Sequence, residues 1–358
     1  MKRRYVLIAV IIVVLLALVY LQVRAWRRFD WDKFIDGSEG INWWQVLGGV
    51  ALIYAADFLR AVRWKIFLRP TKPTASWTGL IAPQYVGFAG LALLGRPGEF
   101  IRPYLIARKE DVPLSSQMAI WLVERVFDTG AVVLLFTLDV FLSDSLRDLD
   151  RYDAWRKVGY VAAPVFCAFA LAVWALWLRG PRIAAWICRR ISAISGKVGS
   201  NLEKKVISLS EGLNTIHGPI AFLLIALTSV VIWVLVALAY RQVTHAYPLD
   251  TGLPALHFPQ VILLMFVSVA GGVIQLPVVG GGSQLATIAV LSQTFGYADS
   301  PELAVSCGML LWLVTFMSVT PVGLALAHFE HVSLRGLSKQ SEAEAKLDKS
   351  GAPSLPIP

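Results

Sequence analysis

Three short stretches put ionisable side chains where a charged ligand or a proton would use them. In "YAADFLRAVRW", Asp57, Arg60 and Arg63 recur at i, i+3 and i+6 and share one helical face. In "GRPGEFIRP", Arg96 precedes a Pro-Gly break that contains Gly98, and Glu99 and Arg102 follow it as an i, i+3 pair. In "IWLVERVFDTGAVV", Glu124 and Asp128 lie one turn apart, with Arg125 beside them. The guanidinium group is a planar fork of donors that matches a phosphate. A broken helix adds free N–H groups and the positive end of a dipole at the same place. Carboxylates nearby would hold those arginines while a site is empty, or carry a proton. A catalytic reading would make Glu124 or Asp128 a general base. A fourth stretch, "QLPVVGGGSQLA", is polar without charge: Gln275, Gly280, Gly281, Gly282, Ser283 and Gln284. Its glycines read as an anion-cradling nest or as a sharp turn between two half-helices.

The surroundings of these residues decide between solvent and lipid. The chain is 56% hydrophobic and only 16% charged, with a mean hydropathy of +0.62, whereas soluble domains carry about a quarter charged residues. The apolar residues come in blocks of membrane-spanning length. The long ones are Tyr5–Val23, Trp44–Val62, Trp77–Leu94, Gln117–Leu142, Val158–Leu178, Pro219–Tyr240, Phe258–Val279 and Pro301–Ala327, and a shorter one is Gln284–Phe295. Tyr5–Val23 is longer than a secretory apolar region and no small-x-small site follows, so it reads as an uncleaved span. Trp26, Trp43, Trp44, Trp64, Trp77, Trp155 and Trp177 gather near segment ends, as an interfacial belt would. A net charge of +9 then points to cytoplasmic loops and anionic lipid, not to nucleic acid. The three cysteines are scattered and make neither a metal pattern nor a disulfide framework. Walker A, zinc and nucleophile-elbow patterns are missing, so no cofactor, metal or enzymatic activity is expected.

Charge sets the topology. The loop from Arg179 to His217 carries Arg179, Arg182, Arg189, Arg190, Lys197, Lys204 and Lys205, while the loop from Arg241 to His257 carries Arg241 alone. The first should be cytoplasmic and the second external. With a cytoplasmic N-terminus, that requires one earlier segment not to cross. Trp77–Leu94 holds Pro83, several glycines and the Arg-Pro-Gly-Glu break, so residues 77–108 are expected to form a hairpin entering from the cytoplasm. Residues 258–295, broken at "LPVVGGGSQ", are expected to form a second hairpin entering from outside. The expected architecture is an all-α polytopic membrane protein with about six full spans and two broken re-entrant hairpins, arranged as an inverted pair. Such breaks are the best sequence pointer to a transport site. Residues 182–213, with Ile183, Ile187, Ile191, Ile194, Val198, Leu202, Val206, Leu209 and Leu213 at helical spacing, read as an amphipathic helix on the cytoplasmic surface. Residues 1–329 form one transmembrane domain on this reading, and 330–358 a disordered cytoplasmic tail.

"RAVRW", "GRPGEFIRPYLIAR", "VERVFD" and "LPVVGGGSQLATIAVL" together resemble the transmembrane region of lysylphosphatidylglycerol synthetases, a flippase-like family of membrane proteins. The resemblance covers most of the chain from Arg4 to about Phe329. It implies lipid translocation across a bacterial inner membrane, with both termini cytoplasmic. It further implies headgroup-binding roles for Arg96, Glu99, Arg102, Glu124, Arg125 and Asp128, with Gly98, Arg60 and the late glycines beside them. Many members carry Pro-Gly-Gly-x-Gly followed by Glu in the late hairpin. Here Ser283 and Gln284 follow the glycines, which argues against ion coupling at that point. No soluble synthase domain follows the tail, so lipid aminoacylation is not expected. The resulting expectation is a flippase or scramblase for an anionic or isoprenoid-linked phospholipid. The alternatives are a non-transporting partner of an envelope-biosynthesis enzyme and an intramembrane lipid-phosphate enzyme. A homo-oligomer is compatible with each.

Overall fold

The computed structural model describes residues 39–147, 149, 151–171, 218–272 and 281–329. All regular structure among them is helical, and the chain is an all-α polytopic membrane protein. The expected first span, the amphipathic segment 182–213, the middle of the late break (273–280) and the tail 330–358 lie outside the described residues.

Helix α1, Trp43–Leu68, starts where the Asn42 side chain accepts the Trp44 N–H at 3.1 Å, satisfying one of the helix's orphan donors. Its 26 residues run about 39 Å, enough to cross a ~30 Å hydrocarbon core. The expected segment stopped at Val62. The helix continues because Arg63 and Lys65 are good helix formers, and Arg63 finds partners inside the protein. Helix α2, Trp77–Leu94, is capped by Ser76, whose hydroxyl accepts the Gly79 N–H at 3.0 Å. It ends at Gly95 with φ +68°, a conformation that favours glycine. A 3-10 turn, Arg96–Phe100, leads into α3, Ile101–Glu110. Then follow α4, Leu114–Leu142, α5, residues 152–171, and α6, Pro219–His245. Beyond them lie α7, Phe258–Gly271, and α8, Gly281–Thr294. Helix α9, Pro301–Trp312, passes through a π turn at Leu313–Met317 towards α10, Thr320–Phe329.

Both expected hairpins are present as antiparallel pairs. A Cβ on Gly98 would lie 2.1 Å from the Gly90 carbonyl oxygen, and one on Gly87 would lie 2.5 Å from Arg102 Cβ. Helix α3 therefore folds back along α2 at a separation only glycines allow. Helix α2 is long and apolar enough to cross a membrane by itself, yet the chain turns back at Gly95. In the second pair, a Cβ on Gly271 would meet the Gly282 carbonyl oxygen at 2.4 Å, and the Ser268 and Ser283 hydroxyls are 2.7 Å apart. Helices α7 and α8 have 14 residues each, about 21 Å, too short to span alone.

The hairpins open towards opposite faces. The Asn42 N–H donates to the Ala246 carbonyl at 2.7 Å, so the start of α1 adjoins the end of α6, and the end of α1 adjoins the start of α6. The α2–α3 pair opens at the latter face, where Gly79 and Glu110 approach one another. The α7–α8 pair opens at the former, where Arg151 donates to Gln293 at 3.3 Å. One apolar core around Tyr240, Met265, Leu291, Cys307 and Leu311 packs α6 to α9 together with α1. A second, around Trp64, Phe67, Leu80, Ile120 and Ile225, joins α1, α2, α4 and α6. Trp43, Trp44 and Trp77 are exposed, as a belt requires, but Trp64 is only 1% exposed. It belongs to the interior because it lies beneath an arginine from α3.

Candidate functional site

Arg63 is the hub of a buried charge network. One turn after Arg60 on α1, it faces α4 and α6 with no exposed surface. Its Nη1 donates to Asp128 Oδ1 and to Ser229 Oγ, each at 2.6 Å, and its Nη2 donates to Glu124 Oε1 at 2.6 Å. The one-turn spacing of Glu124 and Asp128 on α4 is what lets a single planar fork take both. Arg102 reaches the same carboxylate from α3. Its Nη1 donates to Gln84 Oε1 at 3.0 Å and to Glu124 Oε1 at 3.3 Å, and its Nη2 to Glu124 Oε2. Its guanidinium lies 4.4 Å from the centre of the Trp64 ring, a cation–π contact in a desolvated setting. Trp64 is itself fixed by donating Nε1–H to Gln117 Oε1 at 3.0 Å.

Arg125 closes the outer edge. It donates to Asp128 Oδ2 at 3.2 Å and approaches Glu124 Oε2 at 3.6 Å, with 36% of its side chain exposed. Deeper along α1, Arg60 donates to Asp57 Oδ1 at 2.7 Å and rests between Phe88 and Trp233, 5.2 and 5.9 Å from the ring centres. Glu124 and Ser229 are each about ten residues into their helices, so the network lies about 15 Å from the helix starts. A lone charge at such depth costs at least ~2.5 kcal/mol, which is why these groups pair.

Donors outnumber acceptors in this network. Arg60 Nε, Arg63 Nε, Arg125 Nε, Gln84 Nε2 and Gln117 Nε2 are buried without a hydrogen-bond partner, against one carboxylate oxygen here, Asp57 Oδ2. Beside the network a narrow cleft opens between the hairpin and α4, lined by Phe88, Glu99, Arg102, Trp121 and Arg125 over Gly87 and Leu91. Phe100, at the end of the 3-10 turn, packs on Trp121 with ring centres 5.4 Å apart.

Of the residues singled out by sequence, Arg60, Gly98, Glu99, Arg102, Glu124, Arg125 and Asp128 come together around the first hairpin. Gly98 contributes packing, since it sits on the backbone of Gly90. The backbone of Arg96 belongs to the 3-10 turn, and its side chain lies outside the described part. Gly280 also falls outside it. Gly281, Gly282 and Gln284 lie in α8, where no hydrogen bond or ion pair among the described residues joins them to the arginines. The polar chain there is Tyr240 to Ser268 at 2.9 Å, then Ser283 at 2.7 Å.

The sequence pattern marks the face carrying Arg63 without giving that residue the central role, it places Trp64 in the interfacial belt, and it does not single out Gln84, Trp121 or Ser229. Gln84 had a signal, as a lone amide in the apolar run "GLIAPQYVGFAGLALL". Ser229 had none, because a hydroxyl in a span usually bonds its own helix, and this one also donates to Ile225 O.

The comparisons with known proteins bear on the whole of this arrangement. A family model described as "Lysylphosphatidylglycerol synthase TM region" matches residues 6–331. No curated protein and no solved structure matches the chain.

Proposed function

Because the chain belongs to the lysylphosphatidylglycerol synthase TM region family, we propose that it translocates a phospholipid with an anionic or isoprenoid-linked phosphate headgroup. The observation that carries this reading is the cleft walled by two arginines, Arg102 and Arg125, beside a network whose bare buried donors outnumber its bare acceptors. The guanidinium fork is the side-chain group best matched to a phosphate. Arg125, half-exposed at the mouth, makes the first contact. Arg102 and Gln84 stand behind it, and Phe88 and Trp121 offer apolar walls to the glycerol and upper acyl carbons. Arg63 fixes Glu124 and Asp128, and those carboxylates position Arg102 and Arg125.

Glu124 and Asp128 have both carboxylate oxygens taken by arginines. Carboxylates clamped as the counter-charges of arginines are poor proton acceptors, which supports a translocator over an enzyme. The same closure gives the non-transporting partner reading its one support, since the buried carboxylates are satisfied without any ligand. By the charge bias of the loops, the chain sits in the plasma membrane with the open face of α2–α3 towards the cytoplasm.

The test is lipid movement in liposomes that carry fluorescent phosphatidylglycerol in both leaflets. An impermeant reductant is added from outside. Full bleaching with native protein, slowed about tenfold or more by Arg125→Ala, is the expected result, the loss of a charge-assisted contact being worth about 1.5–3 kcal/mol. Bleaching that stops at the outer leaflet, with phosphatidylglycerol and then with an isoprenoid phosphate, favours the partner reading.

A further inference from the structure

Four carboxylates are buried among the described residues: Asp57, Glu124, Asp128 and Asp139. Glu124 and Asp128 are held on both oxygens. Asp57 is held on one. Its Oδ1 accepts from Arg60 at 2.7 Å, while Oδ2 is buried and has no partner. Only 1% of the residue is exposed. Its electrostatic neighbours are Tyr54 and Arg60 on α1, Tyr85 on α2, Arg102 on α3 and Glu124 on α4. Both tyrosine hydroxyls are committed elsewhere, Tyr85 donating to Tyr54 O at 3.1 Å and Tyr54 to Ser318 O at 2.8 Å. Arg60 Nε and Trp233 Nε1 are donors without acceptors, yet neither meets the bare oxygen.

A carboxylate at this depth with one bare oxygen is far less well compensated than its neighbours, and neutralising it is the cheap remedy. Neutralisation also weakens the one ion pair that Arg60 makes among the described residues, and its guanidinium lies against Phe88, a wall of the cleft. We propose that Asp57 is a proton-binding site, and that protonation releases Arg60 to the phosphate headgroup and so couples lipid movement to protons. The step is one proton moving from water onto a carboxylate oxygen, with no other bond made or broken.

The coupling rests on the translocator reading; the proton site rests on geometry alone. Two measurements separate them. In the first, the liposome assay is run with and without an imposed pH gradient. Native protein is expected to show a several-fold ratio of rates and Asp57→Asn a ratio of one. Lipid movement in the native protein that ignores the gradient overturns the coupling, as does a ratio preserved in Asp57→Asn. In the second, infrared difference spectra are recorded while the lipid-embedded native protein is titrated with acid. A carboxyl C=O band is expected that persists in Asp139→Asn, which removes another buried carboxylate with an unpartnered oxygen, and disappears when Asp57→Asn is added to it. A band in Asp139→Asn that survives the added Asp57→Asn overturns the proton site. If that variant does not fold, Asp57→Glu must shift the band, and an unshifted band overturns it equally. Absence of any lipid movement removes the translocator reading and leaves the infrared result to decide Asp57.

Discussion

At the scale of single residues, Arg63 and Arg125 carry the same charge towards the same two carboxylates, and burial makes them opposite cases. Arg63 is sealed, and removing it leaves Glu124 and Asp128 buried and short of a counter-charge. Arg63→Ala should therefore lower stability by about 3–5 kcal/mol, read as a fall in the unfolding midpoint of the detergent-solubilised protein. Arg63→Lys should fall in between, since an ammonium cannot present a planar fork to three acceptors. Arg125 is partly in solvent and its partner Asp128 keeps Arg63. Arg125→Ala should then cost less than about 1 kcal/mol of stability while slowing lipid movement. Equal losses of stability in the two alanine variants would remove the distinction between positioning and contact.

At the scale of elements, the first hairpin depends on glycines that let two backbones touch. Gly98→Ala would drive a methyl group into the Gly90 backbone, and no side-chain rotation relieves that. At Gly90 the obstacle is Ile101 Cδ1 at 2.5 Å, the movable end of a side chain. Gly98→Ala should lower the unfolding midpoint markedly, and Gly90→Ala much less. Much of this element was legible in the sequence. The breaks at Gly95–Gly98 and near Gly281 stand out because an apolar run has no other reason to stop there. The ends of α1 and α6 were not, since Trp44–Val62 and Pro219–Tyr240 were bounded by hydropathy, and a helix continues through Arg63 where the fold supplies partners or through Arg241 where the side chain is exposed. The pairing of Arg63 with Glu124 was illegible for a related reason. Periodicity reports which residues share a face, never which face of another helix will meet it. The late glycines read as an anion nest or a sharp turn, and among the described residues it is Gly271, lacking a Cβ, that lets the backbone of α8 at Gly282 lie against α7.

At the scale of the whole molecule, two hairpins opening towards opposite faces give the fold an approximate inversion. Cysteines introduced at the exposed positions Thr74 and Arg108 should react from one side of the membrane, and those at Asp250 and Asp299 from the other. These variants would be made in a chain lacking its three native cysteines, with an impermeant maleimide applied to right-side-out and inverted vesicles. Labelling of all four from one side would refute the arrangement. The network itself has a consequence for how the protein is made. Arg63 enters the bilayer long before its partners exist, for Glu124 and Asp128 follow it by 61 and 65 residues and Ser229 by 166. At about 5–20 residues per second, the carboxylates arrive some 3–13 s later. Until then Arg63 has one recourse, which is its place five residues from the end of α1, close enough for a long side chain to reach the headgroups. We therefore expect helix α1 to sit shallowly until α4 arrives and draws it in.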